Sequence, residues 1–199
     1  SADGSTALNS ELDTIYAADP DWYGLILADG QGGAMQTLAA AWVLNPRKLF
    51  IAHSLDADVA GSGSSDIAST LKTAANGRTA IIYNRSAHGQ FPDAAWMASR
   101  FPTDPGSSTW AYKTLANVTA DSPTASEEGY VTGKNASVYT ALAGINGTKF
   151  GKVASGEWID VVRGIDWLHA RLQERLFGLL SNAEKVPYTD AGVDLVRGE

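Results

Sequence analysis

The 199-residue sequence contains no cysteine, so disulfides, thiol nucleophiles and cysteine-held zinc are excluded together, and a reducing assembly compartment fits. It has no apolar run near the ~18 residues that a membrane helix needs, and SADGSTALNS at the amino end lacks a basic segment followed by an apolar one; neither a membrane span nor a signal peptide is expected. Positive charge is also scarce. Fifteen Lys and Arg stand against 22 Asp and Glu, a net charge of −7 with no basic cluster free of acids, which argues against a nucleic-acid partner. The three histidines, His53, His88 and His169, form no H-x-x-x-H pair, so no metal site is expected. No G-x-S-x-G elbow, kinase signature or internal repeat of 20 to 50 residues occurs. What remains is 44% hydrophobic and 19% charged, enough for one domain with a real core.

Periodicity places a short amphipathic helix in ALNSELDTIYAADP, carried by Leu8, Leu12, Ile15 and Tyr16 and ended before Pro20. Strand, turn and helix follow in WYGLIL (22–27), ADGQGG and AMQTLAAAWVLNP, and again in KLFIAH, SLDADVAGSGSS and DIASTLKTAANG, the last capped by Asp66, before a third strand, TAIIY. Successive β-α-β units predict a mostly parallel sheet with right-handed crossovers and flanking helices. PDAAWMASRF reads as a helix with Pro92 at its first position. TWAYKTL alternates like a strand, whereas SPTASEEGYVTGKN carries Gly129 and Gly133, which weaken a helix. ASVYTAL and TKFGKVA predict a β-hairpin around an Asn146-Gly147 turn. The fold class is therefore α/β, a mostly parallel sheet followed by a hairpin and a long amphipathic helix. The first residue is not Met, and a helix capped by Thr189 stops about two and a half turns on, so the sequence reads as a piece of a longer protein.

Two places invite an enzymatic reading. The turn DGQGG, Asp29 to Gly33, joins a strand to a helix where backbone amides can cradle phosphate, but it lacks the full G-x-G-x-x-G spacing and any Lys; a plain tight turn is the better reading. IAHSLDAD sets His53, Ser54, Asp56 and Asp58 at the carboxyl end of a strand, where α/β folds bind ligands. Neighbours along one extended segment point to opposite sides, so a triad is not expected from it. No catalytic, cofactor-binding or metal-ligating residue is assigned. An α/β nucleotide-binding or hydrolytic domain remains the alternative. Trp42 and Trp96 lie in helices expected to pack on the sheet, and are read as core rather than as a stacking platform.

The most organised stretch is GEWIDVVRGIDWLHARLQERLFGLL, residues 156 to 180. At 100° per residue, Trp158, Val161, Val162, Ile165, Leu168, Leu172, Leu176, Leu179 and Leu180 fall in an arc of about 120°, an apolar stripe expected to meet the protein's own core. Arg163 with Asp166 and Arg171 with Glu174 are candidate i,i+3 pairs on a solvent face, and His169 lies at the stripe's edge. Trp167 projects into the charged face, where Trp beside Arg suits a contact surface.

These motifs carry a resemblance. WYGLILAD, KLFIAH, DIASTLK, RTAIIY, DAAWMA, DPGSSTWAYKTLA, GKVASGEWIDVVRGIDWLHARLQERLF and NAEKVPYTDAG, in this order from about residue 22 to 195, are similar to the tail sheath proteins of contractile-tailed bacteriophages. The run Ile159–Phe177 resembles the long helix near the carboxyl end of other sheath proteins, departing from its V-R-R-type start by Gly164. The resemblance implies a structural, non-enzymatic subunit of the phage virion, assembled in the bacterial host cytoplasm and working without a cofactor. Its implied partners are other sheath subunits and the tail tube protein, with no nucleic acid or membrane, and Arg163, Trp167, Arg171 and Arg175 are the candidate tube contacts. It further implies an α/β sheath domain over 1–144, part of a tube-proximal domain over 145–199, and terminal arms beyond this chain, without which the chain is expected to be monomeric at micromolar concentration.

Overall fold

The computed structural model describes residues 4–28 and 32–198. Its elements are α1 (Gly4–Ala18), β1 (Gly24–Leu25), α2 (Gly33–Trp42), β2 (Leu49–Ser54), α3 (Ile67–Thr73), β3 (Thr79–Tyr83), α4 (Pro92–Arg100), α5 (Ala125–Gly133), β4 (Ser137–Leu142), β5 (Ile145–Lys149), α6 (Ile159–Asn182) and α7 (Asp190–Arg197). The five strands lie in sequence order in one sheet, parallel from β1 to β4 and antiparallel between β4 and β5, so the expected α/β class holds.

Consecutive parallel neighbours joined by crossovers of one hand keep their helices on one face. Phe50 and Ala52 of β2, Ile81 and Tyr83 of β3 and Val138 of β4 accordingly pack with α1, α2, α3 and Val131 of α5. The alternate residues, Leu49, Ile51, Ala80, Ile82 and Tyr139, turn to the other face, where Trp96 of α4, Trp110 and the first turn of α6 cover them. Every residue of β2 and β3 is buried, which explains their continuous apolar runs. Asp66 caps α3 through the Ser69 amide at 3.0 Å and also pairs with Lys134 Nζ at 2.7 Å, tying α3 to the approach to β4. Burial alone would raise the Asp66 carboxyl; Lys134 and Ser69 outweigh it and hold it below the usual range.

Four expectations need correction. WYGLIL contributes only Gly24–Leu25 to the sheet; α4 crosses so closely that a Cβ on Gly24 would lie 2.5 Å from Met97 Sδ and the Phe101 ring. TWAYKTL is irregular, because Tyr112 takes a φ of 59°, yet Tyr112 N–H and Lys113 C=O bond Thr148 and cover the outer edge of β5. The hairpin turns at Ala143 and Gly144, both at positive φ (50° and 83°), three residues before the expected Asn146-Gly147. The weak helix forms as α5 despite its glycines, since Thr124 and Glu127 make a reciprocal capping box. Residues 144 and 145 lie within the β4–β5 hairpin, and Val153, Ala154 and Ile159 pack in the same two cores as the residues before it. Trp96 is fully buried, while Trp42 is half-buried, stacked on Trp22 at 5.8 Å with Tyr16 edge-on at 5.9 Å.

Candidate interaction surface

Two regions carry the residues singled out by sequence: the carboxyl ends of the parallel strands, and α6. At the first, the structure separates the candidate set. His53 is buried on the α4 side, its Nε2 3.0 Å from the Asn84 carbonyl oxygen, and burial lowers its pKa. Ser54 Oγ accepts the Asp56 amide at 3.3 Å, and Asp56 Oδ1 accepts the Asp58 amide at 3.0 Å, capping a short 3-10 turn. His53 Nε2, Ser54 Oγ and Asp56 Oδ1 are thus each engaged with backbone groups. Of the DGQGG turn, Asp29, Gly30 and Gln31 lie outside the described residues, and Gly32 and Gly33 open α2. Because the strands run in sequence order, this edge has no topological switch point of the kind that opens a ligand crevice in α/β sheets. It is instead bridged by Arg85, which binds Asp121 at 3.1 Å and Glu127 at 2.7 Å. The Arg85 guanidinium, with the Thr124 cap, holds Glu127 down to about 2.

Helix α6 runs 24 residues, as its periodicity predicts, but meets the body with a different face from the one expected. Its root is fixed by Ile159, fully buried, and Val162. Arg163 donates through Nη1 to the Arg100 carbonyl at 2.8 Å and through Nη2 to those of Phe101 (2.9 Å) and Thr103 (2.8 Å), with its guanidinium carbon 5.2 Å from the Phe101 ring centre. Those carbonyls belong to the carboxyl end of α4 and the turn after it, where unpaired acceptors and the helix dipole favour a cation. Asp166 does not pair with Arg163. It takes both guanidinium nitrogens of Arg78, Nη2 at 2.8 Å, and accepts the Tyr23 hydroxyl at 2.6 Å. Burial, then the Asp166 carboxylate, pushes the Tyr23 phenol far above its ordinary value.

These polar anchors decide the orientation. They sit 100° or more around the helix from the centre of the stripe, so docking them turns the stripe away from the body. Ile165, Leu168, Leu172, Leu176 and Leu180 are 37–61% exposed, and no residue from Trp167 to Asn182 is buried. The stripe expected to face the core is thus on the surface, and half of the face expected to meet solvent is docked. Of the second predicted pair, Arg171 and Glu174 do meet, at 2.5 Å, and His169 is exposed.

The four candidate contact residues divide accordingly. Arg163 is half-buried and its guanidinium is engaged with the body; Trp167, Arg171 and Arg175 are exposed, with the Arg171 guanidinium 5.8 Å from the Trp167 ring centre. Trp167, Tyr23, Phe101 and Pro105 line a cleft of about 370 Å³ with Arg163 and Asp166 at its side. The recess is aromatic, and the charges at its side are already paired within the chain. Sequence reasoning missed Tyr23, Arg78 and Phe101, because their partners on α6 lie 143, 88 and 62 residues away and no local pattern marks such pairs. Among the described residues, no helix is long and apolar enough to cross a membrane. No protein-family model matches the chain, and no curated protein sequence matches it.

Proposed function

We propose that this chain is a structural, non-enzymatic protein, the central part of a subunit of a contractile phage tail sheath. It belongs on this reading to the virion tail, is assembled in the bacterial host cytoplasm, and has other sheath subunits and the tail tube protein as partners. The observation that carries the proposal is α6: a helix in the motif run that resembles sheath proteins, rooted in the α/β body and exposing Trp167, Arg171 and Arg175 along its free length. Contacts of that kind are individually weak, about 0.2–1 kcal/mol for an exposed ion pair, and sum only when repeated around and along a tube. Each subunit can then release its contact during contraction without a large local barrier.

The test uses the complete sheath protein expressed with its tail tube. Wild-type protein is expected to form sheathed tubes in electron micrographs. Arg171→Glu with Arg175→Glu is expected to fold, because both residues are exposed, and to leave the tubes bare at physiological salt. Arg163 is unsuitable for this purpose, since its reversal would oppose three carbonyls and disturb the root of the helix. Discrete small particles from the wild type would overturn the sheath reading, and normal sheathing by the double variant would overturn the tube-facing role of α6.

A further inference from the structure

From Trp158 to Leu180 the stripe spans 22 residues, about 33 Å at 1.5 Å per residue. Seven large side chains, Trp158, Val161, Ile165, Leu168, Leu172, Leu176 and Leu180, are each 37–61% exposed along it. A stripe about 10 Å wide covers roughly 300 Å², at the size where an apolar patch on a monomer marks a contact site. We infer that this stripe docks on the same stripe of a second copy of the chain, the two α6 helices lying antiparallel about a two-fold axis near Leu168. The inference uses only the exposure and charge of α6 and stands whether or not the protein is a sheath subunit.

Two features favour this occupant. The stripe is close to self-complementary when reversed. With the axis between Leu168 and His169, Trp158 meets Leu179 and Leu180 of the second copy, Val161 meets Leu176, and Ile165 meets Leu172, so apolar side chains face one another along the seam as a closed two-fold contact requires. The antiparallel sense also keeps the acidic bodies apart. Residues 1–166 carry 11 Lys and Arg against 17 Asp and Glu, a charge of −6, whereas 167–182 carry Arg171 and Arg175 against Glu174, a charge of +1. Parallel helices would set two such bodies side by side; antiparallel ones place each basic helix end beside the other chain's acidic body. Roughly 300 Å² of stripe per chain, with polar flanks, brings the total to about 1,000 Å², the lower limit of specific interfaces, so the pair is weak and concentration-dependent.

Sedimentation equilibrium of residues 1–199 tests this. The mass is expected to rise from monomer near 1 µM towards dimer by about 300 µM, the range set by so small an interface. Leu168→Glu is expected to hold the protein monomeric over the whole range with unchanged helical circular dichroism; should it lose helix content, Leu172→Gln gives the same reading with less disturbance. The absence of native cysteine allows a second readout. Mixed Ile165→Cys and Leu172→Cys chains, oxidised with a copper catalyst, are expected to cross-link to each other at least fivefold more than to themselves. A wild type that stays monomeric at 300 µM, or a dimer that survives Leu168→Glu, would overturn the inference. Preferential self-linking of each cysteine variant would overturn the antiparallel arrangement.

Discussion

The α/β body and the free length of α6 use the same kind of residue for opposite ends. In the body, β2 and β3 bury every side chain, and Trp96 and Trp110 pack edge-to-face at 5.5 Å over them. In α6, leucines at helical spacing are as regular as any in the chain, yet none from Leu168 onward is buried. Amphipathic periodicity thus reports that a face will be covered, without saying by what. Here polar anchors at the root override it: three carbonyls bound by Arg163 and the Arg78–Asp166–Tyr23 cluster fix which side of the helix meets the body.

The contrast breaks most sharply on large-to-small substitutions. Trp96 is fully buried, with its indole N–H donated to the Trp110 carbonyl at 3.0 Å, so Trp96→Ala is expected to cost about 4 kcal/mol in urea unfolding. Leu172→Ala, measured at low concentration, is expected to cost under ~0.5 kcal/mol because it leaves no cavity. Equal costs would show that α6 is packed as tightly as the body.

The join between the two regions comes next. The Arg78 and Asp166 side chains are each 13% exposed, and Asp166→Ala leaves Arg78 and Tyr23 without their acceptor. The expected loss is about 3 kcal/mol, within the range for breaking a largely buried pair, together with faster amide hydrogen exchange along α6. Glu174→Ala, which removes the exposed partner of Arg171, should cost only a few tenths. If the two substitutions cost alike, the root is not held by Asp166.

The sheet, its parallel sense, the hairpin and the length of α6 were legible in the sequence because each rests on local periodicity or on a cap such as Asp66. The irregular path of TWAYKTL was not, since it turns on one positive φ at Tyr112 and on bonds to Thr148 36 residues on. Nor was the orientation of α6. Arg163 and Asp166 have i,i+3 spacing, which made a mutual pair the simplest local reading, and only the fold brings Arg78 and the end of α4 to compete for them. The candidate surface was therefore legible in composition, Trp167 among arginines, and illegible in which arginine the body engages.

A pH-dependent difference follows from the body's buried carboxylates. Asp93, 1% exposed at the start of α4, is pushed up to about 6 by burial, offset in part by the Ala94 amide. An unfolded Asp titrates near 4, so between about pH 4 and 6 the unfolded chain gives up its proton while the folded one keeps it; stability falls as pH rises through that window and is level above it. Asp93→Asn removes the penalty. It is expected to stabilise the protein by about 2 kcal/mol at pH 7 and by almost nothing at pH 3.5, read from urea midpoints. A gain of the same size at both pH values would mean that ionisation is not its source.

The smallest effect separates the regions most cleanly, because it adds nothing but helix propensity. Gly129 in α5 and Gly178 in α6 are both helical, and a Cβ at either would meet nothing within 4 Å. Replacement by Ala favours the helix by about 0.5–1 kcal/mol at each site. Helix α5 carries buried Val131 and leads directly into β4, so it opens only when the body does, and Gly129→Ala is expected to raise the global unfolding free energy by most of that amount. The distal turns of α6 can open while the body stays folded. Gly178→Ala is therefore expected to leave the urea midpoint unchanged and to slow amide exchange between 175 and 182 about threefold to fivefold, the local equivalent of the same free energy. If Gly178→Ala shifts the global midpoint as Gly129→Ala does, α6 folds as one unit with the sheet, and its exposed stripe is a face of the body rather than of an independent helix.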